Sequence, residues 1–457
     1  MKLAELLEGQ GLEGKLGERG LAPGAAAAKG NLFARAAGAL TAAGVDGGKE
    51  ARAFFVPGRI EVLGKHTDYA GGRSIVTAVE QGFCMVGVAR EEAVIEVHAA
   101  DLGEKAEFAF DPELVATHGH WSNYPMTVAR RLARNFPGER RGADIAFVSD
   151  LPPASGMSSS SAMMVATYLV LAAINRLEER DIYRRNIEDA LTLAAYLGTA
   201  ENGQTFGELT GDKGVGTFGG SEDHTAILCS QAGSLGQFSY CPAYFERYIE
   251  VPRGYVFGVG FSGVVAEKTG AAQELYNRAS LRVGGIVEAW RQSTGGEEVY
   301  LADVLAGGPD ATDRLRQILQ EAEDGSFTGA ELAQRLEHFI AENEEIIVPA
   351  GDALAAGDLE GFGRLVDRSQ ELTDSLLGNQ VPETVALARL ARECGAAAAS
   401  AFGAGFGGSV WALIEEEGSA AFLEAWAARY AAVYPEAASR ARFFTTQAGP
   451  AAFEPEG

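Results

Sequence analysis

Cysteine is scarce in this 457-residue chain. Cys84, Cys229, Cys241 and Cys394 lie far apart, with no C-x-x-C pair. That spacing argues against a zinc site or a disulfide framework and suits a reducing compartment. No apolar run is long enough to cross a bilayer, and the first residues lack a charged-then-apolar leader, so a cytoplasmic location is expected. Positive charge is also short: 38 Lys and Arg stand against 63 Asp and Glu, a formal charge of −25. So acidic a chain argues against nucleic acid or an anionic membrane as partner. Internal repeats, heptads and low-complexity tracts are missing too. So is any G-x-x-x-x-G-K-[ST] stretch, which excludes a P-loop nucleotide site.

What is present is an ordinary globular composition, 47% hydrophobic and 22% charged, and a length that suits about two to three domains. Residues 1–50 alternate Ala/Leu segments with glycine breaks and read as an extension of short helices packed on the outside. From 51 to 240 the chain is β-rich at first. Short strand-like runs occur at 52–56, 61–63, 74–78, 83–89, 94–99 and 107–110, with turn residues such as Pro57-Gly58 and Gly71-Gly72 between several of them. Helices are expected at 162–177 and 187–197. Residues 241–457 read as an α/β domain, with a strand at 255–261, a helix beginning at 271–279, and acidic helices over 309–346 whose charges form solvated faces.

Three stretches carry chemistry. The first, Arg59-Ile60-Glu61-Val62-Leu63-Gly64-Lys65-His66-Thr67-Asp68-Tyr69, crowds charged side chains into a turn between strands, an arrangement costly without a polar ligand. The second is Leu151-Pro152-Pro153-Ala154-Ser155-Gly156-Met157-Ser158-Ser159-Ser160-Ser161-Ala162. A strand-like run leads in and a helix leads out, so small residues and hydroxyls collect at a helix N-terminus, a place that binds phosphate. A plain serine N-cap is the competing reading. The third, Phe402-Gly403-Ala404-Gly405-Phe406-Gly407-Gly408-Ser409, satisfies G-x-G-x-x-G. A dinucleotide site needs a helix after the glycines, and residues 409–414 read instead as a strand. Between the second and third lies Gly219-Gly220-Ser221-Glu222-Asp223-His224, glycines beside an Asp/His pair and followed by an apolar strand expected at 226–229, which suggests a carboxylate presented at a cleft. His118 and His120 flank a glycine, but no third ligand lies near, so a loop is the plainer reading.

In this order the three stretches resemble the motifs of the GHMP sugar and mevalonate kinase superfamily. The first is most similar to the galactokinase signature G-R-x-N-[LIV]-I-G-E-H-x-D-Y. Trp121-Ser122-Asn123-Tyr124, Lys268-Thr269 with Tyr276-Asn277, and Gly363-Arg364-Leu365 with Ser369 also look galactokinase-like, so the likeness runs from about residue 50 to 450. The resemblance implies an α/β (α+β) fold of two lobes, mixed sheets with helices and the active site between them, the lobes dividing near residue 240. It implies a small-molecule sugar as acceptor, ATP as donor with magnesium, and a monomer or weak homo-oligomer. On the matching positions Asp223 is the catalytic base and Arg59 the arginine beside it. His66, Asp68, Lys65 and Tyr276 are sugar-binding. Ser155, Gly156, Met157, Ser158, Ser159 and Ser160 wrap the phosphates, while Ser159 or Ser160 with Glu201 holds magnesium. Gly403, Gly405, Gly407 and Gly408 form the glycine loop near the site.

The chain also departs from the pattern. Galactokinases carry Glu where it has Lys65, Asn where it has Glu61, and Met-Asp-Gln where it has Glu222-Asp223-His224. Ala154 replaces a customary glycine, and residues 203–213 resemble an insertion. A lysine can only donate and carry positive charge. Two acceptors therefore stand open, a neutral galactose-like hexose and a hexuronate whose acidic group at C6 meets Lys65. A catalytically silent sugar and ATP sensor is the reading from another class.

Overall fold

The structure is a computed structural model and describes residues 1–8, 11–117, 119–266, 270–321 and 326–456. The strand runs at 52–56 and 61–63 join into one 13-residue strand, β1 (Ala51–Leu63). Pro57-Gly58, expected as a turn, lies inside it at a shift of register between Pro57 and Arg59. Proline has no amide to give the ladder, and the bulge removes the need for one. The runs at 74–78 and 83–89 merge likewise into β2 (Arg73–Ala89). β3 (Val94–Ala99), β4 (Glu104–Ala109), β5 (Ala143–Ser149), β6 (Ser234–Ser239) and β7 (Tyr244–Glu250) complete most of a mixed eight-stranded sheet. β2 is long because it has several partners. It pairs with β1 throughout, with β5 through its second half and with β6 through its first.

Both faces of this sheet are covered, which is why β1 and β2 are buried almost continuously rather than alternately. On one face the extension packs as helices Leu3–Leu7, Leu12–Glu18 and Pro23–Ala42, with Leu16, Phe33 and Leu40 against Phe55, Cys84 and Val148. On the other lie helices Asn123–Asn135 and Ser159–Asn175, their Leu132, Met164 and Leu171 in one core with Val56, Val62 and Met85. Each such side chain contributes about 1.5–3 kcal/mol on burial.

β8 (Tyr255–Phe261), β9 (Ala398–Ala401), β10 (Ser409–Glu415) and β11 (Arg442–Thr446) form a second sheet, antiparallel throughout, in the order β11-β8-β10-β9. β10 is the strand expected after the glycine loop. The chain then returns to the first sheet, where Ala448–Gly449 pairs with β2. Helices Gly270–Thr294, Pro309–Glu321 and Gly329–Ile340 build a separate core that takes in Ala70 from the turn after β1. The acidic residues of 309–346 are not all solvated: Glu342, in a π-helical turn at Ala341–Ile346, is wholly buried. No helix among the described residues is long and apolar enough to cross a membrane.

One element differs in kind. Residues 226–229, expected as a strand, belong to the helix Glu222–Cys229. A four-residue apolar run reads alike in either state. Here the Thr225 amide donates to the Ser221 carbonyl and continues as helix.

Candidate active site

Side chains two apart on a strand share a face, so Arg59 and Glu61 of β1 point the same way. Opposite them is the first turn of the helix Glu222–Cys229, whose positive end favours carboxylates. Arg59 Nε donates to Asp223 Oδ1 at 2.8 Å, with Nη2 2.7 Å from the same oxygen, and Nη1 donates to the Gly156 carbonyl at 2.6 Å. Burial works against the Arg59 charge, but the Asp223, Glu61 and Glu222 carboxylates outweigh it, so its pKa is raised. Asp223 Oδ2 accepts from Ser161 Oγ at 3.3 Å, and the same hydroxyl lies 2.8 Å from Glu201 Oε2, which His224 Nε2 approaches to 3.3 Å. Arg59, Asp223 and Glu201, expected together, are together.

The turn after β1 brings Asp68 and His66 to the same cavity, and the helix Gly270–Thr294 brings Tyr276. Asp68 is held by two backbone amides, Tyr69 at 2.8 Å and Glu222 at 3.1 Å. A Cβ on Gly220 would lie 2.4 Å from its Oδ2, so that glycine lets the chain reach the carboxylate. His66 Nε2 faces the Ala404 carbonyl at 3.3 Å and Nδ1 shares a hydrogen bond with the Tyr69 hydroxyl at 2.9 Å. Its ring stacks at a tilt on Tyr276, 5.2 Å between centroids. Burial pushes the Tyr276 hydroxyl well above its ordinary pKa. The turn itself is braced from the helical core by Arg335, which donates to the His66 carbonyl, and by Glu342, which accepts from the Gly64 amide at 2.9 Å.

Lys65 is the exception. Its ammonium turns from the cavity and donates to Ser400 Oγ at 2.8 Å and Ser369 Oγ at 3.3 Å. Lys65 is 1% exposed and is absent from the cavity wall. In this structure Lys65 thus meets two serine hydroxyls rather than the cavity. Side chains alternate along extended backbone, but Gly64 (φ +115°) and His66 (φ +58°) bend it here and turn the 65 side chain inward.

Leu151 to Ser158 is the expected small-residue loop, and the helix Ser159–Asn175 opens from it. Ala154 and Ser158 adopt left-handed backbone, φ +49° and +56°. Ser155, Gly156 and Met157 lie at its bend, and Gly156, Ser158, Ser159 and Ser160 face a second cavity of about 310 Å³ that has aromatic walls, Phe83, Trp121 and Tyr124. Nothing in the spacing of those three pointed to a shared site, because they come from two elements and the end of a loop. Among the described residues Ser158 Oγ is buried with no hydrogen-bond partner, which suits a hydroxyl awaiting a ligand oxygen. The glycine loop backs this one. A Cβ at Gly403 (φ +81°) would lie 2.6 Å from the Gly156 carbonyl, and Ser409 Oγ donates to the Ser155 carbonyl at 2.7 Å. Gly405 and Gly407 lie against Asn379 and Val264, and Gly408 against Ser155.

A magnesium ion would find Glu201 with serine hydroxyls here, hard oxygens in the small number that magnesium takes from protein. No group of three or more His, Cys, Asp or Glu among the described residues is placed to hold a metal. Ser161, passed over in the sequence, is the serine that reaches Glu201. The 203–213 segment is ordered by Arg130, which donates to Asp212 Oδ2 at 2.7 Å, and by Arg131, which donates to the Gln204 carbonyl at 2.7 Å. His118, Lys268 and Thr269 lie outside the described residues.

Comparisons with known proteins agree on the same region. Models described as "GHMP kinases N terminal domain", "GHMP kinases C terminal" and "Galactokinase galactose-binding signature" match residues 123–207, 352–432 and 46–88. A galactokinase of Chloroflexus aggregans is 31% identical over 384 residues, 82% of this chain and 87% of its own length. One of Streptococcus mutans is 28% identical over 388 residues, 82% and 88% of the two chains. Among solved structures, Lactococcus lactis galactokinase complexed with galactose superposes with a TM-score of 0.74 at 24% identity, covering 91% of this chain and 99% of that one.

Proposed function

We propose, for a chain that belongs to the galactokinase family, that it is an ATP-dependent sugar kinase acting on the anomeric hydroxyl of a galactose-like hexose. The observation that carries this reading is a shared wall. Arg59 and Ala404 line both the acidic cavity and the aromatic-walled one, so a group bound in one faces a group bound in the other across the Arg59–Asp223 pair.

In this reading the adenine stacks among Phe83, Trp121 and Tyr124, and the serine loop with its helix N-terminus takes the phosphates. The sugar lies against Asp68, His66 and Tyr276, with its reacting hydroxyl at Asp223. Asp223 accepts the hydroxyl proton, and Arg59 holds that carboxylate in place and offsets charge that develops on the transferred group. Glu201 and a serine hydroxyl, Ser161 or its neighbours Ser159 and Ser160, would hold magnesium, which would supply positive charge against that of the phosphates.

The inward turn of Lys65 removes the reason for a hexuronate, and the contact of Arg59 with Asp223 favours an enzyme over a silent sensor. Galactose, galacturonate, galactosamine and glucose, each with ATP and magnesium and followed by ADP release, test the proposal. Galactose is expected to be turned over fastest. Absence of ADP release with every sugar overturns it.

A further inference from the structure

The turn that carries His66, Asp68 and Tyr69 begins at Gly64, just after β1, and ends at Arg73, the first residue of β2. From inside, the Thr67 hydroxyl lies 2.8 Å from the Gly64 carbonyl oxygen and 2.6 Å from that of Arg73, within hydrogen-bond reach of both ends. From outside, the two ends are held by neighbouring side chains of the π-helical turn Ala341–Ile346. Glu342 Oε1 accepts from the Gly64 amide at 2.9 Å, and Asn343 Oδ1 accepts from the Arg73 amide at 2.7 Å. Between the ends, Arg335 donates to the His66 carbonyl. The packing is close: a Cβ on Gly72 would stand 2.8 Å from the Phe339 ring and 3.0 Å from Asn343 Oδ1.

Arg335, Phe339, Glu342 and Asn343 stand at i, i+4, i+7 and i+8, one stripe of the continuous helical run from Gly329 to Ala355. All four are buried. Their footing is firm, because Leu336 and Phe339 belong to the helical core that also takes in Ala70 of the turn. π-Helical turns occur singly and are frequent at functional sites. None of the four lines the acidic cavity, whereas His66, Asp68 and Tyr69 do. The stripe therefore meets the turn and not what the cavity would bind.

We propose that this stripe sets the affinity for the acceptor, with Asn343, working beside Glu342, as a positioning residue. By fixing both ends of the turn it places His66 and Asp68 at the cavity. Its effect falls on the acceptor side alone. The serine loop is held by the glycine loop instead, through Ser409 and the close approach of Gly403, and Arg59 and Asp223 come from β1 and the helix Glu222–Cys229.

The affinity part rests on the sugar-kinase reading, and the hold on the turn does not. Asn343→Leu removes the acceptor of the Arg73 amide, while Asn343→Asp keeps an oxygen there; Glu344, the partner of the Asn343 amide nitrogen, is exposed. In turnover with galactose, ATP and magnesium, Asn343→Leu is expected to raise KM for galactose about tenfold, with kcat and KM for ATP within about threefold of the parent. Asn343→Asp should stay within about threefold in all three. Gly72→Ala crowds Asn343 and Phe339 from the turn's side and should raise KM for galactose as well, so it reads the same contact if Asn343→Leu does not fold. Retained ATP binding marks a folded variant. Without any sugar, hydrogen exchange followed by NMR is expected to show the Arg73 amide protected in the parent and in Asn343→Asp, and exchanging about tenfold faster or more in Asn343→Leu. Equal rises in the two KM values, a galactose KM unmoved in both Asn343→Leu and Gly72→Ala, or Asn343→Asp as impaired as Asn343→Leu overturns the proposal. A parent that phosphorylates no sugar overturns the kinase reading, and the exchange of the Arg73 amide then decides the hold on the turn by itself.

Discussion

Lys65 Nζ donates to Ser400 Oγ at 2.8 Å, which fastens the turn after β1 in one sheet to β9 in the other. Its second partner, Ser369 Oγ, lies 3.0 Å from Glu342 Oε1, so the ammonium reaches a buried carboxylate through one hydroxyl. The residue whose charge most distinguishes this chain from the galactokinase signature thus joins the two sheets rather than reading a ligand.

Lys65→Met should therefore cost stability and spare specificity. Removing a buried donor while leaving both serine oxygens in place costs about 1–3 kcal/mol, to be read from the midpoint of denaturant unfolding. The ratio of turnover on galactose to that on galacturonate is expected to stay within about twofold. A tenfold change in that ratio would return Lys65 to the acceptor side.

Asp223→Asn tests the base. Turnover is expected to drop by about 100-fold or more, while calorimetric titration with ATP gives an affinity close to the parent's, because the carboxylate faces the acceptor. Loss of ATP binding of the same size as the loss of turnover would place Asp223 on the donor side instead.

Gly403→Ala probes how the two loops support each other. The added methyl meets the Gly156 carbonyl at 2.6 Å and forces an alanine to φ +81°, a combined cost of about 1–3 kcal/mol. Arg59 also binds that carbonyl, so KM for ATP should rise several-fold, as ADP release will measure. Gly418→Ala is the control. It has similar backbone, φ +88°, with nothing within 4 Å of the added Cβ, and should cost only the backbone strain and leave KM alone.

The buried Glu61 carboxyl also sets a sign for stability against pH. Glu61 binds its proton more tightly folded (about 7) than unfolded (the ordinary 4.5). The folded chain therefore holds more protons than the unfolded chain in that window, and the contribution of Glu61 to stability falls as pH rises from about 4.5 through 7. Glu61→Gln removes this dependence. Thermal unfolding should show the variant gaining on the parent as pH goes from 5 to 8, and a difference in Tm that is constant across that range would refute the assignment.

Local chemistry explains what could be read in advance. Alternating and apolar runs located β1 to β5 but not β6 or β7, and the serines after Gly156 marked a helix N-terminus although no side chain caps it. Where a local signal was ambiguous the reading erred: the four apolar residues 226–229 suit strand or helix alike, and Pro57-Gly58 reads as a turn unless a bulge absorbs it.

By itself, then, the sequence determined the order of the motifs, the galactokinase kinship, and the residues Arg59, Asp68, Glu201 and Asp223 that meet at the cavity. Only the tertiary structure decided which way Lys65 faces, that Ser161 reaches Glu201, that Glu61 and Glu222 share a site, and that Ser409 holds the Ser155 carbonyl from 254 positions away. The physical reason is range. Periodicity and capping act over a few residues of one element, whereas these contacts depend on how β1, the serine loop and the second sheet are set against one another, which no local pattern encodes.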